Sequence, residues 1–137
     1  MTRFLGPYAG VAYSLMRAVF AFLYLCHGLK WLFGAFGGRP VPLTPLLTAA
    51  GIIETVGGTL MLMGFLTSCA AFVASGEMAV AYFIAHIPRT GSIIPIENGG
   101  EITVALCFGF LYIATRGSGP ISIDELLKRR PAAQENK

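Results

Sequence analysis

Charged residues are scarce in this chain. Of its 137 residues, 12% are charged and 55% are hydrophobic, whereas soluble domains carry about 25% charged residues. This composition excludes an ordinary soluble domain, and the length suits a single domain. The net charge of +3 is small. Several of the cations lie near the C-terminus, which favours contact with membrane lipids over binding of nucleic acid.

Residues that hold metals or cofactors are also few. The three cysteines, Cys26, Cys69 and Cys107, lie in apolar runs and form no CxxC pair, so we expect neither a metal site nor a disulfide framework. The sequence has no glycine-rich phosphate loop, no paired-histidine haem motif and no HExxH motif. We therefore expect no cofactor held by the chain itself and no enzyme that acts alone. In a redox role, a partner or a diffusible quinone would carry the electrons.

Long apolar runs, in contrast, are plentiful. A membrane-spanning helix needs about 20 mostly apolar residues. Four segments qualify, at residues 8–33, 45–63, 66–87 and 99–115. The sequence therefore predicts an all-α fold, a bundle of four transmembrane helices within residues 1–120. Residues 121–137 are predicted to form a short cytoplasmic interfacial helix and a tail.

Residues that start or stop helices separate these segments. Thr44 and Pro45 are a favoured N-cap and first-turn residue for the second helix. Pro88 is predicted to stop the third helix. Asn98 and Glu101 have the spacing of a capping box at the start of the fourth.

Three charged residues, Arg17, Glu54 and Glu77, lie inside three different apolar segments. A charge in the bilayer interior costs about 2.5–3.5 kcal/mol on insertion scales, so such residues usually face inward and are paired or functional. The short connection at 64–65 makes the second and third helices an antiparallel hairpin. Each glutamate lies about ten residues from that connection, or about 15 Å at the rise of an α-helix. The two carboxylates should therefore share one depth near the membrane centre, where Arg17 can join them.

This intramembrane polar cluster has two interpretations. One positive and two negative charges would leave excess negative charge in the membrane. We therefore expect either one protonated glutamate or a cation supplied by a ligand or partner. On the functional interpretation, the cluster serves proton transfer or binds a quinone head group. On the structural interpretation, it only fixes the register of the helices.

A second candidate site for a ligand or for protons lies on the outer side. His27 and Lys30 are one turn apart near the end of the first span, and Glu101 is expected at a similar depth. The alternative for Glu101 is the capping role after Asn98, and Lys30 can instead extend to the interface. His86 lies nine residues after Glu77, nearly on the opposite face of the helix, and is not expected in the polar cluster.

Aromatic and basic residues predict the membrane interfaces. Trp31 fits an interfacial aromatic belt. Ser122 and Glu125 have the spacing of a capping box for a short amphipathic helix along the membrane surface. A lipid-head-group anchor is predicted at three basic residues: Lys128, Arg129 and Arg130. Cations are more numerous on the side of the termini, so the positive-inside rule places both termini in the cytoplasm.

The order of several short motifs resembles that of the DoxX family of small membrane proteins. Single motifs such as the paired glycines are weak, but their order and spacing are specific over about residues 15–124. The motifs are LMRA at 15–18, HGLK at 27–30, ETVGG at 54–58, GFLT at 64–67, EMAVAYF at 77–83, HIP at 86–88, NGGE at 98–101, GSGP at 117–120 and SID at 122–124.

The resemblance implies a four-helix membrane bundle in a prokaryotic cytoplasmic membrane. The family takes its name from a subunit associated with quinol oxidation, and other members are tied to membrane redox assemblies. The expected function is therefore that of an accessory subunit of a quinone-linked membrane complex, with other membrane subunits as partners and a quinone or lipid as candidate ligand. Two alternatives stay open. One is a small transporter of protons or solutes that uses the Arg–Glu cluster, and the other is a purely structural subunit.

Overall fold

The computed structural model describes residues 4–37 and 44–129, and every regular element within these ranges is helical. The all-α prediction is therefore confirmed for the described part of the chain. In chain order the elements are a 3₁₀ turn (Gly6–Tyr8), α1 (Ala9–Phe33), α2 (Pro45–Met63), α3 (Thr67–Ala81), a π-helix (Tyr82–His86), α4 (Ile87–Thr90), α5 (Pro95–Asn98), α6 (Glu101–Arg116) and α7 (Ile123–Arg129).

Three continuous helical segments of the described chain are long and apolar enough to cross a membrane: Gly6–Phe33, Pro45–Met63 and Thr67–Thr90. The last of these combines α3, the π-helix and α4. The fourth predicted span corresponds to α6, which has 16 residues. Its length is about 24 Å at the rise of an α-helix, which is less than a hydrocarbon core of about 30 Å. Length therefore supports three crossings and leaves the fourth as a prediction.

Local signals build the hairpin of α2 and α3. Thr44 Oγ1 accepts a hydrogen bond from Leu47 N at 3.2 Å, which confirms the predicted N-cap. Pro45 follows in the first turn, where its missing N–H is not needed. Helix α2 ends at Gly64, whose φ of 70° is left-handed and favours glycine. Because α3 begins at Thr67, only a short connection at 64–66 separates the two helices, and they run antiparallel.

Pro88 does not stop the third membrane helix, so this prediction is wrong. The chain widens into the π-helix and then continues through Pro88 to Thr90, and Gly91 ends the segment with a φ of 75°. In a regular α-helix the proline ring would press on the carbonyl group four residues earlier. The π-helix lies directly before Pro88 and accommodates the ring by widening the turn. Since this turn is underwound, the residues at its end face directions that regular α-helical spacing does not predict.

Asn98 does not cap α6, so the predicted capping box with Glu101 is also wrong. Asn98 ends α5, and α6 begins at Glu101 itself. The Asn98 side chain accepts a hydrogen bond from Gly100 N at 2.8 Å and donates to Tyr82 Oη at 3.1 Å and Ser92 O at 3.0 Å. Asn98 thus links the loop before α6 to the π-helix. In the described chain its side chain forms no capping hydrogen bond at the start of α6, where Glu101 lies.

The long helices pack as two close pairs, α1 with α2 and α3 with α6. In the first pair, a Cβ added to Gly58 would lie 2.8 Å from the backbone nitrogen of Leu25. Small residues permit this kind of backbone approach between membrane helices. Tyr24 of α1 and Phe110 of α6 are fully buried, and their rings meet edge to face at 4.9 Å. This aromatic contact joins one pair to the other.

We expect Gly58→Ala to destabilise the protein and Gly57→Ala to be tolerated. The methyl group at position 58 would collide with the backbone of Leu25, and overpacking costs about 1–3 kcal/mol. At Gly57 the nearest neighbour of an added Cβ is a Tyr24 ring carbon at 3.5 Å, which is an ordinary contact. Thermal unfolding of both variants in one detergent measures the difference. Equal melting temperatures would contradict the close α1–α2 contact.

Candidate functional site

A cleft separates the two helix pairs. Helices α2 and α3 contact each other less than the members of each pair do, and the cleft beside them has a volume of about 1220 Å³. Its walls are the first half of α2, the second half of α3 with the π-helix, and the first half of α6. Most of the lining side chains are apolar, with a few polar groups among them, which is typical of a site for a small molecule.

Two glutamates and a tyrosine form a carboxyl cluster at this cleft. Glu54 and Glu77 both line it, and Tyr24 Oη donates a hydrogen bond to Glu77 Oε2 at 3.1 Å. Glu54 is only 3% exposed. Within the described residues its Oε2 is buried without a hydrogen-bond partner, which costs about 1–3 kcal/mol for a neutral group and more for a charged one. The structure thus brings together the two glutamates that the hairpin geometry placed at one depth.

Arg17 does not join the glutamates, contrary to the expectation from the sequence. Its guanidinium donates hydrogen bonds to the backbone oxygens of Ser118 and, at 2.9 Å, Ile121. It lies beside Gly64 at the hairpin turn, about 15 Å along α2 from Glu54 at the rise of an α-helix. Side chains tilt towards the N-terminus of their helix, and the length of arginine carries its charge to this end of the bundle. In the part of the chain that the structure describes, Arg17 forms no ion pair.

Arg17 belongs instead to a second polar cluster, the C-terminal clasp, in which residues 117–124 are held against α1 and the hairpin turn. Two further hydrogen bonds link α1 to this segment, from Tyr13 Oη to Gly117 O and, at 3.4 Å, from Ile121 N to Ser14 Oγ. The polar residues Tyr13, Ser14, Arg17 and Tyr24 of α1 therefore divide by depth. The first three hold the clasp, and Tyr24 belongs to the carboxyl cluster.

Asp124 completes the clasp on the other side. Its carboxylate accepts hydrogen bonds from Leu66 N at 3.2 Å and Thr67 N at 3.5 Å. These are backbone groups at the start of α3, which have no partner within that helix. The backbone nitrogen of Asp124 also donates to Gly64 O at 3.0 Å. A carboxylate is favoured at a helix N-terminus, so a residue far along the chain caps α3.

Two of the three outer candidate residues, His27 and Glu101, lie along the same cleft, but they do not pair. His27, Trp31, His86 and Glu101 all contribute to its lining. Within the described ranges no ion pair joins His27 to Glu101. Lys30 is absent from the lining, and its Nζ lies 5.6 Å from the centre of the Trp31 ring, within the range of a cation–π contact. The cleft therefore gathers His27 and Glu101 as separate groups, without Lys30.

Sequence reasoning missed His86 as a cleft residue. Its Nε2 lies 3.0 Å from Thr103 Oγ1, and its Nδ1 lies 3.4 Å from Asn98 O. Because a carbonyl oxygen only accepts, the contact with Asn98 O places a hydrogen on Nδ1. Regular α-helical spacing placed His86 opposite Glu77, and the underwound π-helix turns it towards the cleft. Pro88 was the signal in the sequence that regular spacing would fail nearby.

The basic end of α7 is exposed. Lys128 and Arg129 lie on the surface, and Arg129 Nε forms an ion pair with Glu125 Oε1 at 3.1 Å. An exposed pair of this kind contributes about 0.2–1 kcal/mol. Ser122 Oγ accepts a hydrogen bond from Glu125 N at 3.2 Å, which is one half of the predicted capping box. Arg130, the third residue of the predicted anchor, lies outside the described residues.

Comparison with known proteins assigns the family. The sequence profile of the DoxX family matches residues 12–87, which is more than half of the chain. The chain belongs to the DoxX family. It is also similar to an uncharacterised protein of Haemophilus influenzae, with 37% identity over 116 residues that cover 81% of this chain and 87% of that protein. No solved structure matches it.

The range matched by the DoxX profile contains most of the candidate site. It holds α1 from residue 12 onwards, α2 and α3, and therefore the whole carboxyl cluster of Tyr24, Glu54 and Glu77. Arg17 also lies within it, whereas Glu101 and residues 117–124 lie beyond it. The clasp thus joins the part of the chain that carries the DoxX signature to a segment outside that part.

In this DoxX-family chain, we expect Arg17→Lys and Arg17→Gln to loosen residues 117–124. A lysine is a point charge and cannot span two carbonyl groups as a guanidinium does. Leaving buried carbonyl groups unpaired costs about 1–3 kcal/mol. Amide hydrogen exchange in that segment should therefore be faster. Arg89→Gln is the control, because Arg89 is exposed and lies on α4, away from the clasp. Unchanged exchange in both Arg17 variants would contradict the clasp.

A double-mutant cycle tests whether Arg17 and Glu54 interact. The two changes Arg17→Gln and Glu54→Gln should have additive effects on the free energy of unfolding, because their sites are about 15 Å apart and share no partner. Unfolding of both single variants and the double variant measures the coupling. A coupling above about 1 kcal/mol would support a direct Arg–Glu cluster.

Proposed function

We propose that this chain is an accessory subunit of a larger membrane redox assembly and that its cleft holds the head group of a quinone. The carboxyl cluster carries this proposal, because it places two carboxyl groups at a mostly apolar cleft of about 1220 Å³, one of them held from behind by the buried hydroxyl of Tyr24. Such a cleft suits a molecule with an apolar tail and a small polar head.

The carboxyl groups suit both redox forms of a quinone. A carboxylic acid donates a hydrogen bond to a quinone carbonyl, and a carboxylate accepts one from a quinol hydroxyl. Glu54 lines the cleft, and its Oε2 is buried without a partner in the described part of the chain. Rotation of the carboxyl group would turn this oxygen towards a ligand in the cleft. Buried polar atoms are nearly always hydrogen-bonded, so the ligand would supply the bond that this oxygen lacks.

A partner subunit follows from the same proposal. The sequence carries no motif for a haem or a nucleotide cofactor, so other subunits would exchange electrons with the bound quinone. Large apolar side chains are exposed on all four long helices. These faces suit contact with lipid tails or with the apolar surfaces of neighbouring membrane subunits.

Two observations make the alternative functions weaker. For a transporter, a path should continue beyond the cleft, yet the clasp residues Tyr13, Ser14 and Arg17 lie at the hairpin end and none of them lines the cleft. For a purely structural subunit, a residue that fixes register should have a hydrogen-bond partner. Glu54 Oε2 has none among the described residues, which favours a ligand site over a register device.

We further propose that α6 is the fourth span, because it packs as a close pair with α3. Both termini and the hairpin turn would then share the cytoplasmic side of a prokaryotic inner membrane. The related chain is bacterial, which supports a prokaryotic origin. Among the described residues, Arg116, Lys128 and Arg129 would lie on the cytoplasmic side and Lys30 and Arg89 on the other. In the full sequence Arg3, Arg130 and Lys137 would add to the first side and Arg39 to the second, in agreement with the positive-inside rule. Helix α7 would lie along the surface, as its exposed leucines suggest.

Reporter fusions test this topology. Green fluorescent protein at the C-terminus should fluoresce, and alkaline phosphatase inserted after Gly91 should be active, because these points would lie on opposite sides of the membrane. Phosphatase at the C-terminus is the matched control and should be inactive. Active phosphatase at both points would mean that α6 does not cross, and activity at the C-terminus alone would mean that the bundle has the opposite orientation.

Native purification tests the ligand. Quinone extracted from the purified wild-type protein should fall about five- to tenfold in Glu54→Leu, since a lost hydrogen bond of about 1 kcal/mol or more weakens binding by that factor. The same variant should be at least as stable as wild type, because it removes a buried oxygen that has no partner. Glu97→Leu is the control, since Glu97 is exposed and does not line the cleft.

The two readouts separate function from structure. If Glu54 only fixed the helix register, Glu54→Leu would lower the melting temperature and leave bound quinone unchanged. Wild-type protein that retains neither quinone nor another subunit in mild detergent would contradict the proposed function. Mass spectrometry of the purified material identifies both.

A further inference from the structure

Gly76 stands at an unusual place for a glycine. It lies in the middle of α3, directly before Glu77, and lines the cleft. A Cβ built on Gly76 would meet no atom of the described chain within 4 Å. A glycine inside a helix costs about 1 kcal/mol relative to alanine, and no contact within the described chain requires it.

Most other glycines in the long helices are explained by packing, whereas an alanine at Gly57 would make only an ordinary contact at 3.5 Å. A Cβ added to Gly28, Gly51, Gly58 or Gly109 would lie under 3 Å from an atom of a neighbouring helix. At these positions glycine lets two helices approach. Gly76 faces the cleft instead of a helix, so whatever it makes room for comes from outside the described chain.

The missing side chain leaves a strip of bare backbone on the α3 wall. Val73 and Val80 lie one turn before and one turn after Gly76, and both line the cleft. Their side chains border the strip on two sides, and the carboxyl group of Glu77 stands beside it. A flat ring can contact such a strip over its whole face. A puckered or branched group must stand farther away and loses dispersion contacts with each half ångström of gap.

We propose that Gly76 is the specificity-determining position of the cleft: a planar ring lies flat against its backbone, and the polar edge of the ring reaches Glu77 and Glu54. The ligand class is a planar head group with oxygen atoms at its edge and an apolar tail along the cleft. The inference rests on the proposed function and narrows it from any lipid-like molecule to a planar one.

A helix of a second copy of the chain is the competing occupant. A bare glycine can receive a helix as well as a ring. The exposed faces that a second copy would offer are mainly apolar, and they would leave the buried oxygen of Glu54 without a hydrogen bond. A planar molecule with a polar edge can both fill the open space at Gly76 and form a hydrogen bond with Glu54. The oligomeric state is therefore one outcome of the test.

The chain contains its own probe of the cleft. Trp31 is the only tryptophan of the sequence, and it lines the cleft. A bound quinone should therefore quench the fluorescence of the purified full-length protein. Ubiquinone-2 serves as the planar ligand. A geranylated cyclohexane-1,4-diol, which has a similar tail and a puckered ring, serves as the competitor and should displace ubiquinone-2 poorly.

Two variants of Gly76 and one control variant test the position. Gly76→Leu should raise the ubiquinone-2 concentration needed for half-maximal quenching at least about tenfold, and Gly76→Ala should raise it less. Gly76→Ala should melt at or above the wild-type temperature, because its methyl group has open space and alanine favours a helix. Ala105→Leu is the control: Ala105 is an exposed small residue of α6 that does not line the cleft, and its binding should be unchanged.

The outcomes separate the inference from the proposed function. Equal quenching of wild type and Gly76→Leu, with weak binding by Glu54→Leu, would overturn the inference and leave the function standing. If wild type does not bind ubiquinone-2, the proposed function fails and the inference falls with it. If Gly76→Leu does not fold, equal binding by Gly76→Ala overturns the inference. An oligomer that dissociates in Gly76→Leu without loss of quenching assigns Gly76 to helix association and also overturns it.

Discussion

The guanidinium of Arg17 donates hydrogen bonds to backbone carbonyl oxygens of residues 118 and 121. The arrangement of the other buried polar groups depends on these bonds. In a membrane every buried polar group has to find its partner within the protein. Because Arg17 is engaged at residues 118 and 121, the bundle is fastened at the hairpin end. For the same reason Glu54 and Glu77 have a tyrosine hydroxyl beside them instead of a cation. The carboxyl cluster is thus a point of unmet hydrogen-bonding capacity within the described chain.

Unequal packing between helices creates the space around that cluster. Glycines bring the backbone of α2 against α1, whereas α2 and α3 approach each other less closely. The buried rings of Tyr24 and Phe110 connect the two pairs at one level, and the cleft opens between the walls. The same tyrosine connects the pairs and holds Glu77. Tyr24 therefore serves both packing and hydrogen bonding. The cleft results from the way in which the two helix pairs are joined.

The sequence predicts the parts of this fold that depend on local signals. The helical class and the cap at Thr44 are confirmed, since apolar runs and capping residues act within a few residues of themselves. The wrong predictions concern residues with distant partners. Arg17 bonds across about a hundred residues, Asn98 bonds to the π-helix, and Pro88 changes the helix type instead of ending the helix. His86 was placed opposite Glu77 because regular spacing was assumed through that change. The fourth span, the ligand and the partners stay predictions.

The clasp also sets an order for the biogenesis of the protein. Arg17 and the carbonyl oxygen of Ser118 are 101 residues apart in the chain. A ribosome that adds about 5–20 residues per second needs roughly 5–20 s to make the second partner after the first. During that interval α1 is complete, but its arginine lacks its native acceptors, and the start of α3 lacks the carboxylate of Asp124. The clasp can therefore close only after residues 117–124 have left the ribosome, and the hairpin end is the last part of the polar interior to form.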